Sequence, residues 1–217
     1  MKSILVLGLG HFGKHIVNKL NELNCQIMAV DIDEDRVNEV LNLVDNAQIG
    51  DTTNVDFLKG LGIGNFDTCI VTITEDFQAS LETTSLLKDL GAKHVVSRAS
   101  SSIQQKFLLR NGADEVVYPE EQLAAWTCIR CTSENVFDYI DLGNNRAIYE
   151  VSVPAEWDQK TVAELRVRPK YGINILAIRD DGDLNVNVRP ETVMRFGTTV
   201  LILGESDKIS SYFRLNE

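Results

Sequence analysis

Three glycines in the run Gly8-Leu-Gly10-His11-Phe12-Gly13, followed by Asp31 at the end of the next apolar run, are the residues of this chain best suited to chemistry. The chemistry is ligand binding. A glycine at position 8 permits a tight turn, one at position 10 lets the backbone approach a pyrophosphate, and one at position 13 lets a helix pack closely on a strand. The helix that starts near Phe12 points its free N–H groups and positive dipole end at phosphate. Asp31 can accept hydrogen bonds from ribose hydroxyls, and Asp33 stands where a helix cap is needed. The set points to an adenine nucleotide.

The elements that must position these residues follow from periodicity. Six apolar runs, Ser3–Leu7, Gln26–Val30, Ala47–Ile49, Thr68–Ile73, His94–Ser97 and Glu115–Tyr118, alternate with helical patterns near Phe12–Leu23, Glu34–Val44, Asn54–Leu61, Phe77–Leu90 and Ile103–Arg110, and one after Pro119. This alternation predicts a doubly wound parallel Rossmann-like sheet of order 3-2-1-4-5-6. Ligands of such sheets sit outside the carboxyl ends of the strands. That edge collects the glycine turn, Asp31 and Asp33, Asp51 and Thr52, Thr74 with Glu75 and Asp76, Arg98, and Glu120. Arg98 is placed there to offer phosphate a cation.

The pattern changes after residue 133. Residues 134–145 read as a connecting segment, with Gly143-Asn-Asn145 as a turn. Beyond it lie strand-like runs at Ala147–Val153, Asn174–Arg179, Asp183–Val188 and Thr198–Leu203, and helices at Thr161–Val167 and Ile209–Arg214. The expected domains are therefore 1–133, α/β, and 146–217, small and α+β, the second oligomerising to finish burying its sheet.

The chain has 217 residues and a net charge of −11, from 32 acidic and 21 basic side chains. That balance disfavours nucleic acid and anionic lipid as direct partners. Lys2 leads directly into the first strand and no apolar run approaches the ~18 residues of a spanning helix, so a cytoplasmic protein is expected, reaching a membrane only through a protein partner. Cys25 and Cys69 sit in apolar runs and read as buried thiols. Cys128-Ile-Arg-Cys131 lacks the second pair that zinc needs. It falls late in a helical run and reads as two thiols on one helix face, with a redox pair as the alternative.

The motifs, in order, resemble the RCK (KTN) domain regulatory subunits of Ktr/Trk-type potassium uptake systems, the Ktr type above all. The N-terminal carriers are Gly8-Leu-Gly-His-Phe-Gly13, Asp31-Ile-Asp33, Gly50-Asp-Thr-Thr53, Glu75-Asp-Phe-Gln-Ala-Ser80, Gly112-Ala-Asp114 and Pro119-Glu120. The C-terminal ones are Leu165-Arg-Val-Arg168, Lys170-Tyr-Gly172, Ile175-Leu-Ala-Ile178 and Gly204. The resemblance implies a cytosolic gating ring, dimers assembled into an octamer, docked on an integral-membrane potassium-translocating subunit. It implies ATP or ADP, in some members NAD or NADH, at the first domain, with Asp51 and Thr52 on the adenine side. It implies that Glu120 helps to hold a divalent ion, Mg²⁺ or Ca²⁺, near the γ-phosphate. It implies cyclic di-AMP as an inhibitory ligand of the second domain, at Arg166, Arg168, Asn174 and Ile175. The chain departs from the family pattern at His11, where many relatives carry arginine. A histidine there is shorter and partly charged near neutral pH, which implies weaker or pH-dependent discrimination of ATP from ADP.

The competing reading is an NAD-dependent oxidoreductase, or an NAD-sensing module of another transporter. Hydride transfer needs a positioned acid or base. Of the three histidines, His11 lies in the phosphate turn, His15 in the helix behind it, and His94 at the opposite end of the sheet. The regulatory reading is therefore preferred and no catalytic residue is assigned.

Overall fold

The run Ser3–Leu7 forms strand β1, and its last four residues are buried, as a central parallel strand covered on both faces requires. In this computed structural model, which describes residues 1–213, β1 is the centre of the first of two compact units, Met1–Glu120; the second is Glu121–Glu217. Strands and helices alternate after it: α1 (His11–Glu22), β2 (Gln26–Asp31), α2 (Glu34–Val40), β3 (Asn46–Ile49), α3 (Val55–Leu61), β4 (Thr68–Val71), α4 (Phe77–Asp89), β5 (Val95–Arg98), α5 (Ser102–Arg110) and β6 (Glu115–Val117). The strands pair in parallel in the order β3-β2-β1-β4-β5-β6. This is the doubly wound order expected from the alternation.

Period-two side-chain alternation divides the apolar residues between two layers. Ile4 and Val6 face Val17 of α1 and Val37 and Val40 of α2. Leu5 and Leu7 face Leu58 of α3 and Leu87 of α4. Each such buried side chain contributes about 1.5–3 kcal/mol of transfer free energy. One interface is different: beneath α4 lies a seam of buried hydroxyls. Thr52 Oγ1 meets Thr83 Oγ1 at 2.8 Å, Thr84 Oγ1 meets Ser97 Oγ at 2.9 Å, and Thr84 Oγ1 also donates to the Ser80 carbonyl at 2.7 Å. Ser80 Oγ is buried without a partner among the described residues.

Helix α6 (Pro119–Thr132) carries the chain from one unit into the next. The second unit adds β7 (Val136–Asp141), β8 (Arg146–Ser152), α7 (Val162–Leu165), α8 (Val167–Tyr171), β9 (Asn174–Asp180), β10 (Asp183–Asn185), β11 (Thr199–Glu205) and α9 (Ser206–Phe213). Its strands are antiparallel in the order β10-β9-β11-β8-β7. One sheet face packs Tyr149, Val151, Val200 and Ile202 against Trp157, Met194, Ile209 and Phe213. Trp157 satisfies its indole N–H on Tyr212 Oη at 2.9 Å. Glu150, almost wholly buried, accepts from Arg179 Nε at 2.8 Å and Nη2 at 3.2 Å and from Thr199 Oγ1 at 2.5 Å.

Four expectations need correction. The connecting segment 134–145 contains β7, an edge strand paired with β8. A register shift between Val136 and Asp138 breaks the alternation by which a strand is recognised. The single helix at Thr161–Val167 is two short helices, α7 and α8, broken at Arg166, which has φ +49°. Leu165 and Val167 are both buried, and residues two apart cannot share one helix face, so the chain turns between them. The strand Asp183–Val188 ends at Asn185, and the second helix ends at Val40, short of Val44. Arg214, the expected end of the last helix, lies outside the described residues.

Candidate nucleotide-binding site

A cleft of about 320 Å³ opens at the carboxyl edge of the first sheet, between the ends of β1, β2, β3 and β4. Of the residues singled out from the sequence, Gly8, Gly10, Asp31, Asp51, Thr52, Thr74, Glu75 and Asp76 line it. His11, Phe12, Gly13, Asp33 and Arg98 do not.

The three glycines do separable jobs. Gly8 adopts φ +99°, where a side chain would be strained, and a Cβ there would lie 3.0 Å from the Ile73 nitrogen. A Cβ on Gly13 would sit 2.1 Å from the Gly8 carbonyl oxygen and 2.7 Å from Thr72 Oγ1, so α1 can close on β1 only without one. A Cβ on Gly10 would meet nothing within 4 Å. Glycine at 10 is not demanded by the protein's own packing, and the space beside it faces the cleft. Asp33, Asn54, Asp76 and Ser101 cap α2, α3, α4 and α5 with side-chain oxygens, whereas α1 begins at Gly10 with no side-chain cap. The first N–H groups of α1 are thereby left for an external acceptor, and the dipole favours an anion there.

Asp31 is buried, and its carboxylate is already employed. Oδ2 accepts from the Leu9 N–H at 2.5 Å and Oδ1 from the Asp33 N–H at 2.9 Å. It locks the glycine turn to the end of β2 while still lining the cleft. An ionised carboxylate has about four acceptor positions, so further donors such as ribose hydroxyls can be accommodated. Asp33 caps α2, accepting from the Asp35 and Arg36 N–H groups; its carboxylate serves the helix rather than the cleft. Asp51 is held by Thr53, whose hydroxyl and N–H both donate to Oδ1, and these bonds keep its carboxyl below the usual range.

Arg36 is the cleft residue the sequence reading missed. Its guanidinium donates to Glu75 Oε1 at 3.0 Å and lies 3.7 Å from Asp33 and 4.0 Å from Asp31. The hydrogen bond to Glu75 is the main cause of its raised pKa. The only sequence signal was a lone cation in a run of carboxylates after β2. This end of the cleft, with Asp31, Asp51, Glu75 and Asp76 against one arginine, suits hydroxyl and amine donors better than phosphate. Exposed Ile32 adds an apolar surface.

Arg98 and Glu120 form an ion pair at the other end of the strand edge, with the Arg98 guanidinium also 5.2 Å above the Phe12 ring. Arg98 Nε is buried with no partner among the described residues. Glu120 lies in the first turn of α6, and among the described residues no group of three or more His, Cys, Asp or Glu side chains could hold a metal. A cation at Glu120 would have to draw its other ligands from the phosphates of a bound nucleotide. In the second unit Arg166 and Arg168 are exposed, while Asn174 and Ile175 are half-buried at the start of β9. Of these four, Arg168 lines the large groove that runs past Tyr171 and Tyr212. None of the three histidines lines the cleft; His94 stands between Asp114 (3.7 Å) and Glu115 (3.9 Å) beside β5, at the far end of the strand from the ligand edge.

Fold and cleft together define a class: a doubly wound α/β domain with a glycine turn at its ligand edge, followed by a small antiparallel α+β domain. Residues 4–119 match the TrkA-N domain family and residues 147–216 the TrkA-C domain family. The chain is 37% identical over 211 residues to Ktr system potassium uptake protein C of Bacillus subtilis (strain 168), covering 97% of this chain and 96% of that one. It is 35% identical to Ktr system potassium uptake protein A of the same organism, covering 97% and 95%. The chain belongs to this TrkA-N/TrkA-C, or RCK, family of potassium-transport proteins, and not to the dehydrogenases that share its first fold. The solved GsuK channel has the same fold, with a TM-score of 0.72 at 20% identity, over 99% of this chain and 39% of the channel. The GsuK channel bound to NAD gives 0.69 at 17%, over 100% and 39%. The chain thus spans well under half the length of those channels. Among the described residues, no helix is long and apolar enough to cross a membrane.

Proposed function

We propose that this chain is the nucleotide-sensing regulatory subunit of a potassium-uptake system, switched by ATP and ADP in its first unit and acting on a separate membrane-embedded translocating subunit. The observation that carries the reading is Gly10: an uncapped helix start and open space where a Cβ would stand, in a chain 37% identical to a Ktr uptake protein. The phosphates lie along the glycine turn toward Arg98, and the ribose and base lie toward Asp31, Ile32, Asp51 and Thr52. ATP and ADP differ by one phosphate, so a switch between them needs a group that meets the last phosphate alone. Arg98, whose Nε has no partner among the described residues and whose carboxylate neighbour can be exchanged, suits that role. Glu120, released from Arg98, takes up a divalent ion together with the phosphates. NAD or NADH is the alternative occupant, since a glycine turn followed by an acidic strand end suits a dinucleotide equally. In the second unit Arg166 and Arg168, with Asn174 and Ile175, offer cations and half-buried groups to cyclic di-AMP. A homodimer built up to an octameric ring on the membrane subunit completes the proposal.

The test is a thermal-shift titration of the purified chain with ATP, ADP, NAD, NADH and cyclic di-AMP, with and without Mg²⁺ or Ca²⁺. Stabilisation by ATP and ADP, with added metal dependence for ATP that Glu120→Gln removes, supports the switch. Stabilisation by NAD or NADH alone replaces it with redox sensing.

A further inference from the structure

Cys128 and Cys131 stand three residues apart in the last turn of α6, and both thiols are free and exposed. Residues at that spacing share a helix face with Cβ atoms about 5–6 Å apart. A disulfide requires about 3.5–4.5 Å. The shortfall falls where a helix yields most readily: Thr132 is its last residue. Among the described residues none of α6 is fully buried, and the half-buried Ile129, between the two cysteines, packs against the core of the second unit, so the turn tightens around that contact. The other two thiols are poor competitors. Burial pushes Cys69 up to about 12, and Cys25 is partly buried against the layer that contains Val17. Tetrahedral zinc needs four ligands, and among the described residues no third metal-binding side chain joins these two.

We propose that Cys128 and Cys131 are a thiol–disulfide pair whose co-substrate is a low-molecular-weight disulfide. One cysteine thiolate attacks a sulfur of the small disulfide; that S–S bond breaks and one small thiolate leaves. The second cysteine thiolate then attacks the cysteine sulfur of the mixed disulfide, forming the Cys128–Cys131 bond and releasing the second small thiolate. The two cysteine protons pass to the solvent, the protein loses two electrons and the small disulfide gains them. Closing the bridge shifts the turn held by the Thr132 hydroxyl, which donates to the Cys128 carbonyl at 2.8 Å. It also reaches Trp126, two residues before Cys128, whose indole N–H donates to Asp138 at 2.9 Å and whose ring lies 4.6 Å beneath the Arg130 guanidinium. The bridge would therefore fix the last turn of α6 within the second unit.

The experiment equilibrates the full chain in mixtures of oxidised and reduced glutathione, quenches with acid and alkylates the remaining thiols. Cleavage after Arg130 puts Cys128 and Cys131 on separate peptides that only their bridge can join. The expected result is joint loss of both alkylation sites, a joined peptide pair and the single-chain mass on a non-reducing gel. A shift in tryptophan emission should accompany oxidation in the wild type. In Cys131→Ser and in Cys128→Ser the joined peptides vanish, the remaining cysteine accumulates the glutathione adduct, and the emission shift is lost. Independent adducts on the two wild-type cysteines with no joined peptides overturn the proposal. So does a bridge found only between two chains.

Discussion

Replacing Gly10 by alanine should abolish nucleotide binding while leaving the fold intact. The added Cβ meets no atom within 4 Å, and Gly10 already has φ −62° and ψ −174°, a conformation open to alanine. Two small opposing effects act on the unliganded protein. Alanine restricts the unfolded chain, a gain of about 0.4–1 kcal/mol. It is also a poorer helix cap than glycine, by a similar amount. The apo melting temperature should therefore move by no more than a few degrees. The methyl group occupies the space where a pyrophosphate must approach the N–H groups of α1. Wild-type protein at a ligand concentration 100 times the dissociation constant gains about 2.7 kcal/mol, a rise of about 5–11 °C for a chain of this size. Gly10→Ala should lose that rise for ATP, ADP and NAD alike, as read by thermal shift and confirmed by calorimetric titration. Gly13→Ala is the counterpart. Its Cβ needs about 1.3 Å of extra separation to reach the 3.4 Å at which contact with the Gly8 oxygen becomes ordinary. An overpacked site of this kind costs about 1–3 kcal/mol, so Gly13→Ala should melt lower even without ligand. Wild-type nucleotide affinity in Gly10→Ala would refute the assignment of the glycine turn as the phosphate cradle.

Asp31→Asn keeps one acceptor oxygen for two N–H donors, Leu9 and Asp33, and should cost about 1–3 kcal/mol in denaturant unfolding as well as weakening nucleotide. For Glu150, burial alone would raise the carboxyl pKa; the Arg179 and Thr199 hydrogen bonds outweigh it and leave the pKa below 4.5. A folded-state pKa below the unfolded one stabilises above the unfolded value and fades as pH falls through the folded value. The stability gap between wild type and Glu150→Gln should thus be full above about pH 4.5 and close below it; a gap independent of pH would contradict the ionised pairing. Arg166 holds φ +49° at the break between α7 and α8, where a side chain costs about 1–2 kcal/mol. Arg166→Gly should raise the melting temperature of the second unit while weakening cyclic di-AMP, as measured by calorimetric titration.

The parts legible in the sequence were those whose geometry is local. Strand order followed from strict alternation of strand and helix, and the roles of Gly8 and Gly13 from their spacing to a strand and a helix. The contacts that shape the cleft are not local. Leu9 and Asp31 are 22 residues apart, Arg36 and Glu75 are 39 apart, and neither pairing leaves a mark on periodicity. Asp33 was placed both as cap and as ligand group, and only coordinates could show its oxygen turned to the α2 backbone. Strand β7 was hidden because its bulge puts Phe137 out of phase with its neighbours. The break at Arg166 was hidden because the capping box of Thr161 and Glu164 announces a helix without saying how soon it ends.

The hydroxyl seam beneath α4 gives that helix a property that apolar packing would not. Contacts between hydrocarbon surfaces weaken gradually as the surfaces slide. A hydroxyl pair is either made or broken, and each Oγ can both give and accept. Thr52 lines the cleft while its Oγ1 meets Thr83, so an occupant of the cleft, which faces Ala79 of α4 directly, also addresses that helix through a directional bond. Ser80 Oγ, buried without a partner among the described residues, can give or accept one further bond. Helix α4 is thus held to the sheet by directional bonds as well as by the apolar packing of Leu87, and the bonds fix its register where hydrocarbon contact alone would tolerate a slide.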